Sequence, residues 1–228
     1  MEFHKPKPIH SWRELLTEIG VIVIGVAIAL AAEQAVEWLH WQGEVKVART
    51  ALHAEMTNAL DNVYTRREAM KSCMDSKLDR VGAAIADLAA GRPPGLNGMV
   101  FNTLGGLLSV SEWESERSSQ VLTHFPREEL ALMSRFYGQM PDTHDWEIRE
   151  SMAWANLAVL QDASQKLGPE DLAQLRVNYH LARRLQRLIY ANAARQVALA
   201  AQLGVKARNF TPAEIADFCN PQSNTVKY

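Results

Sequence analysis

With 228 residues, 47% of them apolar, and a formal net charge of −2, the chain can bury one real core and offers no general electrostatic case for nucleic acid. Two cysteines exclude a disulfide-dense scaffold and a cysteine-rich zinc site. Abundant Ala and Leu, with few β-branched residues or turn clusters beyond residue 40, point to an all-α protein: a single N-terminal transmembrane helix followed by an antiparallel helical bundle.

In chain order, residues 1–10 carry Lys5, Pro6, Lys7 and Pro8 and are expected to form a short cytoplasmic tail. Ser11-Trp12-Arg13-Glu14 has capping-box form and opens a helix. Between Glu18 and Glu33 lie fourteen residues with no charge and no hydrogen-bonding side chain. Fourteen residues make about 21 Å of helix against a hydrocarbon core of about 30 Å. The run spans only with Leu15, Leu16, Ala35, Val36 and Leu39 added at its ends. Trp12 before it, and Trp38 and Trp41 after it, are placed as an interfacial belt, Trp12 to Trp38 covering about 39 Å.

Residues 11–41 are therefore read as a membrane anchor. Lys5, Lys7 and Arg13 precede the run, and Glu33, Glu37 and Glu44 follow it, which places the N-terminus in the cytoplasm and residues 42–219 in the periplasm. Two rival readings are a buried soluble helix and a cleavable signal peptide with Ala29-Leu30-Ala31 as its small-residue site. Glu18 inside the leader region and the flanking tryptophans weigh against cleavage. Glu18, Ile22, Gly25, Ala29 and Ala32 share one helical face, small enough for close approach by a second helix and carrying a carboxylate to pair with it. Glu18 at headgroup level in water is the plainer alternative, and Gly20, Ala27 and Ala31 form a second small stripe.

The apolar spacing continues through Val45, Ala48, Leu52, Met56, Ala59, Val63, Met70, Met74, Val81, Ile85 and Leu88, so one long helix is expected, with Gly43 as its weak point and Gly91-Arg92-Pro93-Pro94-Gly95 as its stop. A capping-box spacing at Ser111-Glu112-Trp113-Glu114 begins a helix to about Leu122, and Pro126 opens another carrying Leu130, Met133, Phe136 and Tyr137. Asp142 or Thr143 is expected to cap a helix to about Leu167, packed through Trp146, Met152, Ala155, Leu157, Val159 and Leu160. Gly168-Pro169 starts the last long helix, with Leu175, Ala182, Leu185, Ile189, Ala193 and Ala200 inward and an end near Gly204. Thr211-Pro212-Ala213-Glu214 opens a short final helix, and residues 220–228 are expected to form a flexible tail.

Candidate chemistry is sparse. Asp142, His144, Asp145 and Glu147 are the densest group of metal-ligand types, yet they lie where a helix start calls for acidic and capping residues anyway. His40 beside the tryptophans reads as interfacial. Arg176, Arg183, Arg184 and Arg187, with Arg195, make a basic face that either pairs with acidic residues of neighbouring helices or meets an anionic ligand or partner. Cys73 and Cys219 are a disulfide candidate in an oxidising compartment, closing the tail onto the first long helix. Phosphate-loop, nucleophile-elbow and dinucleotide fingerprints are absent, so neither catalysis nor a cofactor is expected.

The stretch Glu18-Ile19-Gly20-Val21-Ile22-Val23-Ile24-Gly25-Val26-Ala27-Ile28-Ala29-Leu30 resembles the anchor of uncharacterised single-pass bacterial inner-membrane proteins. The resemblance implies residence in that membrane and brings no activity or site residues with it. The expected function is a non-enzymatic accessory or scaffold subunit, held by the lipid bilayer and contacting another membrane protein or a second copy of itself. The alternative is a periplasmic ligand-binding or sensing bundle acting through a partner.

Overall fold

A computed structural model describes residues 11–96, 99, 101, 103–161 and 167–219; the tails expected at residues 1–10 and 220–228 lie outside the described residues. The chain is all-α, a long apolar N-terminal helix leading into a packed helical domain. Helix α1, Trp12–Ala59, begins where Ser11 Oγ accepts the Glu14 amide at 3.2 Å, as the capping-box reading requires. No residue of its first half is buried, and its second half enters the core from Val45 onward.

Gly43 does not break this helix. Without a tertiary neighbour to exploit a kink, its cost is only the modest helix penalty of glycine. The irregularity falls further on, in a five-residue π-type stretch, Leu60–Tyr64, followed by α2, Thr65–Ala69. At Met70 the backbone leaves helical angles (φ −91°, ψ 5°), and α3, Lys71–Ala89, carries the chain onward until Gly91 turns it with a φ of +70°. Gly106 packs against the π-type stretch so closely that an added Cβ would lie 2.8 Å from the Asn62 carbonyl oxygen and 2.7 Å from Val63 Cγ2, leaving room for glycine alone.

Helix α4, Ser111–Ser118, is shorter than expected, and a 3₁₀ turn, Val121–His124, follows it after Gln120 takes a left-handed conformation (φ 66°). Its cap also differs from the expectation. Ser111 is the first helical residue, and the free amides of Glu112 and Trp113 donate at 3.1 and 3.2 Å to the carboxylate of Glu55, which also accepts from the Ser109 and Ser111 hydroxyls. Helices α5, Arg127–Gly138, and α6, Met140–Leu157, come next, then a 3₁₀ turn, Ala158–Gln161. The expected continuation of α6 toward Leu167 runs through residues 162–166, outside the described residues.

Helix α7, Pro169–Gln202, starts as expected, with Asp171 Oδ2 accepting the Gly168 amide at 2.7 Å, and ends before Gly204 (φ +75°). Helix α8, Pro212–Cys219, is capped by Thr211 with Glu214 reaching back to the Thr211 amide at 2.8 Å.

Helix α7 runs antiparallel to α6, as the pairs Asn192–Thr143 and Asn178–Asn156 show, and to α3, as Gln186–Asp75 and Arg183–Asp79 show. Two apolar cores result. The one nearer the free half of α1 gathers Leu52, Met56, Leu60, Phe136, Tyr137 and Leu199. The far one gathers Met74, Leu78, Val81, Trp154, Leu157 and Ala182. The chain after Gly204 runs back along the domain from Val205, in the first core, to Phe210, Ile215 and Phe218, against the second.

Candidate functional site

Two regions depart from the ordinary pattern of apolar inside and charged outside. The first is the free half of α1. Ile22, Ile24, Ile28 and Leu30 are all more than half exposed, and this is the one helix among the described residues long and apolar enough to cross a membrane. The candidate contact face, Glu18, Ile22, Gly25, Ala29 and Ala32, is exposed throughout, and a Cβ added at Gly25 would meet nothing within 4 Å.

The belt divides. Trp12 and Trp38 are 73% and 61% exposed, whereas Trp41 stacks on His124 with ring centroids 3.9 Å apart and belongs to the edge of the domain. The His40 ring lies beside it at 5.4 Å. The domain therefore begins within one helical turn of Trp38.

The second region is a layer of buried polar groups between the two cores. Helix α2 contributes Arg67, and α6 contributes Glu147 and Glu150; the three are 0%, 4% and 0% exposed. Arg67 Nε and Nη2 both donate to Glu147 Oε1, at 3.3 and 3.0 Å, and Nη1 forms an ion pair with Glu150 Oε2 at 2.6 Å. Near them stand Tyr64, Thr143 on α6, and Gln186, Tyr190 and Asn192 on α7, with Gln196 buried on the same helix. Asn192 Nδ2 donates to Thr143 Oγ1 at 2.6 Å, and Gln186 Nε2 reaches Asp75 on α3 at 2.7 Å.

Several polar atoms here have no hydrogen-bond partner among the described residues, including Glu150 Oε1, Trp154 Nε1, Asn192 Oδ1 and both ends of the Gln196 amide. Burial pushes the carboxyl groups of Glu147 and Glu150 above the usual range, against the opposing pull of Arg67. Burial likewise pushes the Tyr64 and Tyr190 phenols up.

This layer overturns part of the expected packing of α6, since Leu157 and Leu160 are buried as expected and Trp146 and Val159 partly so. Met152 is 62% exposed and Ala155 is exposed too, while the inward line is Met140, Thr143, Glu147, Glu150, Trp154 and Leu157. Those positions recur at three- and four-residue steps, so the helix does have one buried face. Half of it is polar in composition, and a search for apolar periodicity passes over it. The usable signal was Glu147 and Glu150 lying in line with apolar residues at both ends. Neither Asp142 nor Thr143 caps the helix, which begins at Met140 with Pro141 in its first turn. Thr143 instead returns its hydroxyl to the Gln139 carbonyl at 2.8 Å.

The remaining candidates separate. Asp142, His144 and Asp145 stay exposed, Asp145 paired with Arg149 at 2.9 Å, while Glu147 turns inward; these four do not converge. Arg183 and Arg187 line a groove of about 310 Å³ between α3 and α7 with Lys71, Asp75 and Asp79. There Arg183 donates to Tyr179 Oη at 2.5 Å and lies 3.5 Å from Asp79, and Lys71 pairs with Asp75 at 2.6 Å, so acidic residues of α3 offset most of the charge. Arg176 and Arg184 are exposed outside this groove, and Arg195 lies with Arg135 in another of about 480 Å³ between α5 and α7.

Cys73 and Cys219 are joined as a disulfide with Cα atoms 5.5 Å apart across 146 residues of sequence. Phe218, next to the bridge, lies under Lys77 at 4.8 Å and Arg66 at 5.6 Å, so cation–π contacts support the same docking. Comparison with protein-family models, with characterised proteins and with solved structures gives no match to this chain.

Proposed function

We propose that the chain is a single-pass, non-enzymatic subunit of the bacterial inner membrane. It holds its helical domain against the periplasmic surface and contacts another membrane protein or a second copy of itself. The observation that carries this reading is the unbroken passage from exposed apolar helix to buried core within α1, Trp12–Ala59. An apolar rod of this length is favourable only in lipid, and its rigidity fixes the domain beside the bilayer. The disulfide supports an oxidising compartment, the basic residues ahead of the span support the orientation, and the resemblance of the anchor supports the inner membrane.

Partner contact is supported by a continuity along α1. Gly25, Ala29, Ala32 and Val36 lie on the same helical line as Gly43, Val47, Ala51, Ala54 and Asn58, within about 50° at 100° per residue. Most of these positions are exposed, and at the domain end the line meets a groove of about 270 Å³ beside Leu107, itself 88% exposed. One face of one helix thus stays open in both lipid and water. Site-directed crosslinking from Ala29 and Ala54 in intact cells tests it: both positions should capture the same partner. Capture at neither position, or a reporter fused to Tyr228 active only in the cytoplasm, would sink the proposal.

A second reading, a sensing bundle that acts through a partner, draws its support from the buried polar layer. An apolar core would be the simpler way to hold α2, α6 and α7 together.

A further inference from the structure

The polar layer contains a charge imbalance with a specific chemical consequence, independent of which side of a membrane the domain faces. Helix α6 sets Glu147 and Glu150 three residues apart, and both reach Arg67, the one buried guanidinium they share. The charged groups acting on the pair are Arg67 and, for Glu147, the nearby His144. From α7 come only neutral groups, Gln186, Tyr190, Asn192 and Gln196, and from the π-type stretch Tyr64. Helix α3 brings a further negative charge, Asp75, held by Gln186; its Lys71 pairs with Asp75 and its Lys77 lies over Phe218.

Two carboxylates therefore face one guanidinium in a site closed to water. Such an excess charge is relieved by taking up a proton. We propose that Glu147 and Glu150 form a proton-binding site, in which one proton held by the pair balances Arg67 at neutral pH.

Glu150 is the principal holder of that proton. Glu147 Oε1 accepts two N–H bonds from Arg67, and the Gly106 amide and His144 also favour its ionised form. Glu150 has a single ion-pair contact and the like charge of Glu147 beside it. Its Oε1 is unpartnered. A protonated carboxyl group carries one O–H donor and one acceptor, and the layer holds unpartnered atoms of both kinds. The burial-driven rise at both glutamates agrees with this assignment.

The consequence is a domain whose packing responds to pH. The folded state binds a proton that the unfolded state releases above the ordinary glutamate range, so stability is greatest in acid and falls as pH rises toward the folded-state value. One linked proton lowers the folding constant by up to about tenfold per pH unit across that window. Because the layer joins α6 to α2 and α7, proton release loosens the contact between the two cores.

The experiment is difference infrared spectroscopy on the full chain in detergent micelles, wild type against Glu150→Gln, with a pH series on the wild type alone. A protonated-carboxyl C=O stretch should appear at neutral pH, shift in deuterium oxide, disappear in Glu150→Gln and fade as pH rises. Thermal unfolding between about pH 5 and about pH 9 should show the wild type losing stability relative to Glu150→Gln. Absence of the band from the wild type overturns the proposal, and that measurement needs no variant. Equal destabilisation by Glu150→Gln at every pH also overturns it, since the glutamate then acts as a permanently ionised partner of Arg67. So does stabilisation by added sodium or potassium without the band, which would identify a metal cation as the balancing charge.

Discussion

Ile24 on α1 is 61% exposed, and Glu150 on α6 is 0% exposed. Each stands where a water-soluble protein would place the other, and the two departures have different physical origins. Around Ile24 a whole segment is apolar on every side, and the remedy proposed for it is a different solvent. Around Glu150 the segment is amphipathic and mixed, and burial is made tolerable by one opposite charge, an imposed geometry and a proton. Exposed apolar surface is thus a property of a stretch of sequence, whereas a buried charge belongs to a set of contacts drawn from several helices.

The comparison can be broken most forcefully at its charged end. Replacing Arg67 with alanine leaves two carboxylates without their cation, and the domain should lose about 3–5 kcal/mol, read by urea unfolding followed by circular dichroism. Replacing Arg67, Glu147 and Glu150 together with Met, Leu and Leu removes the imbalance and should bring stability back to the wild-type level or above. If Arg67→Ala unfolds at the wild-type midpoint, the buried triad does not hold the two cores together.

At the apolar end, Ile24→Arg places a charge in the middle of the span and should cost about 2.5–3.5 kcal/mol of membrane insertion. Fractionation should then find protein released from the membrane, while the unfolding midpoint of the domain stays unchanged. Release accompanied by an unfolded domain would mean that the two regions are not energetically separate.

Cys73→Ala opens a loop spanning 146 residues of sequence and should lower stability by about 2–4 kcal/mol under oxidising conditions, with no loss under reducing ones. A smaller effect, about 1–3 kcal/mol, is expected for Gly106→Ala, whose methyl group would press on the Asn62 carbonyl. Arg117→Ala makes a control, since the exposed Arg117–Glu114 pair at 2.9 Å should be worth less than about 1 kcal/mol.

The regions that could be read from the chain alone share one property: their neighbours in space are neighbours in sequence, or their environment is uniform. The N-terminal caps at Ser11 and Thr211, the Gly168-Pro169 start of α7 and the glycine ends near Gly91 and Gly204 depend on a few adjacent residues. The buried stripes of α1, α3 and α7 were visible because their inward residues are mostly apolar. What stayed hidden depended on distant partners. Glu55 caps α4 across 57 residues of sequence, and Arg67 meets Glu147 across 80. The π-type stretch beside Gly106 and the outward turn of Met152 follow from the same long-range contacts.

By itself, then, the sequence determined an all-α chain with an apolar rod at one end, because helix propensity, hydrophobic period and capping act within a few residues. Only the tertiary structure decided that Trp41 belongs to the domain, that Cys73 meets Cys219, and that two glutamates share one arginine between two cores. Those outcomes turn on which helix faces are brought together, and a carboxylate written in one line of sequence carries no mark of whether water or a guanidinium will surround it.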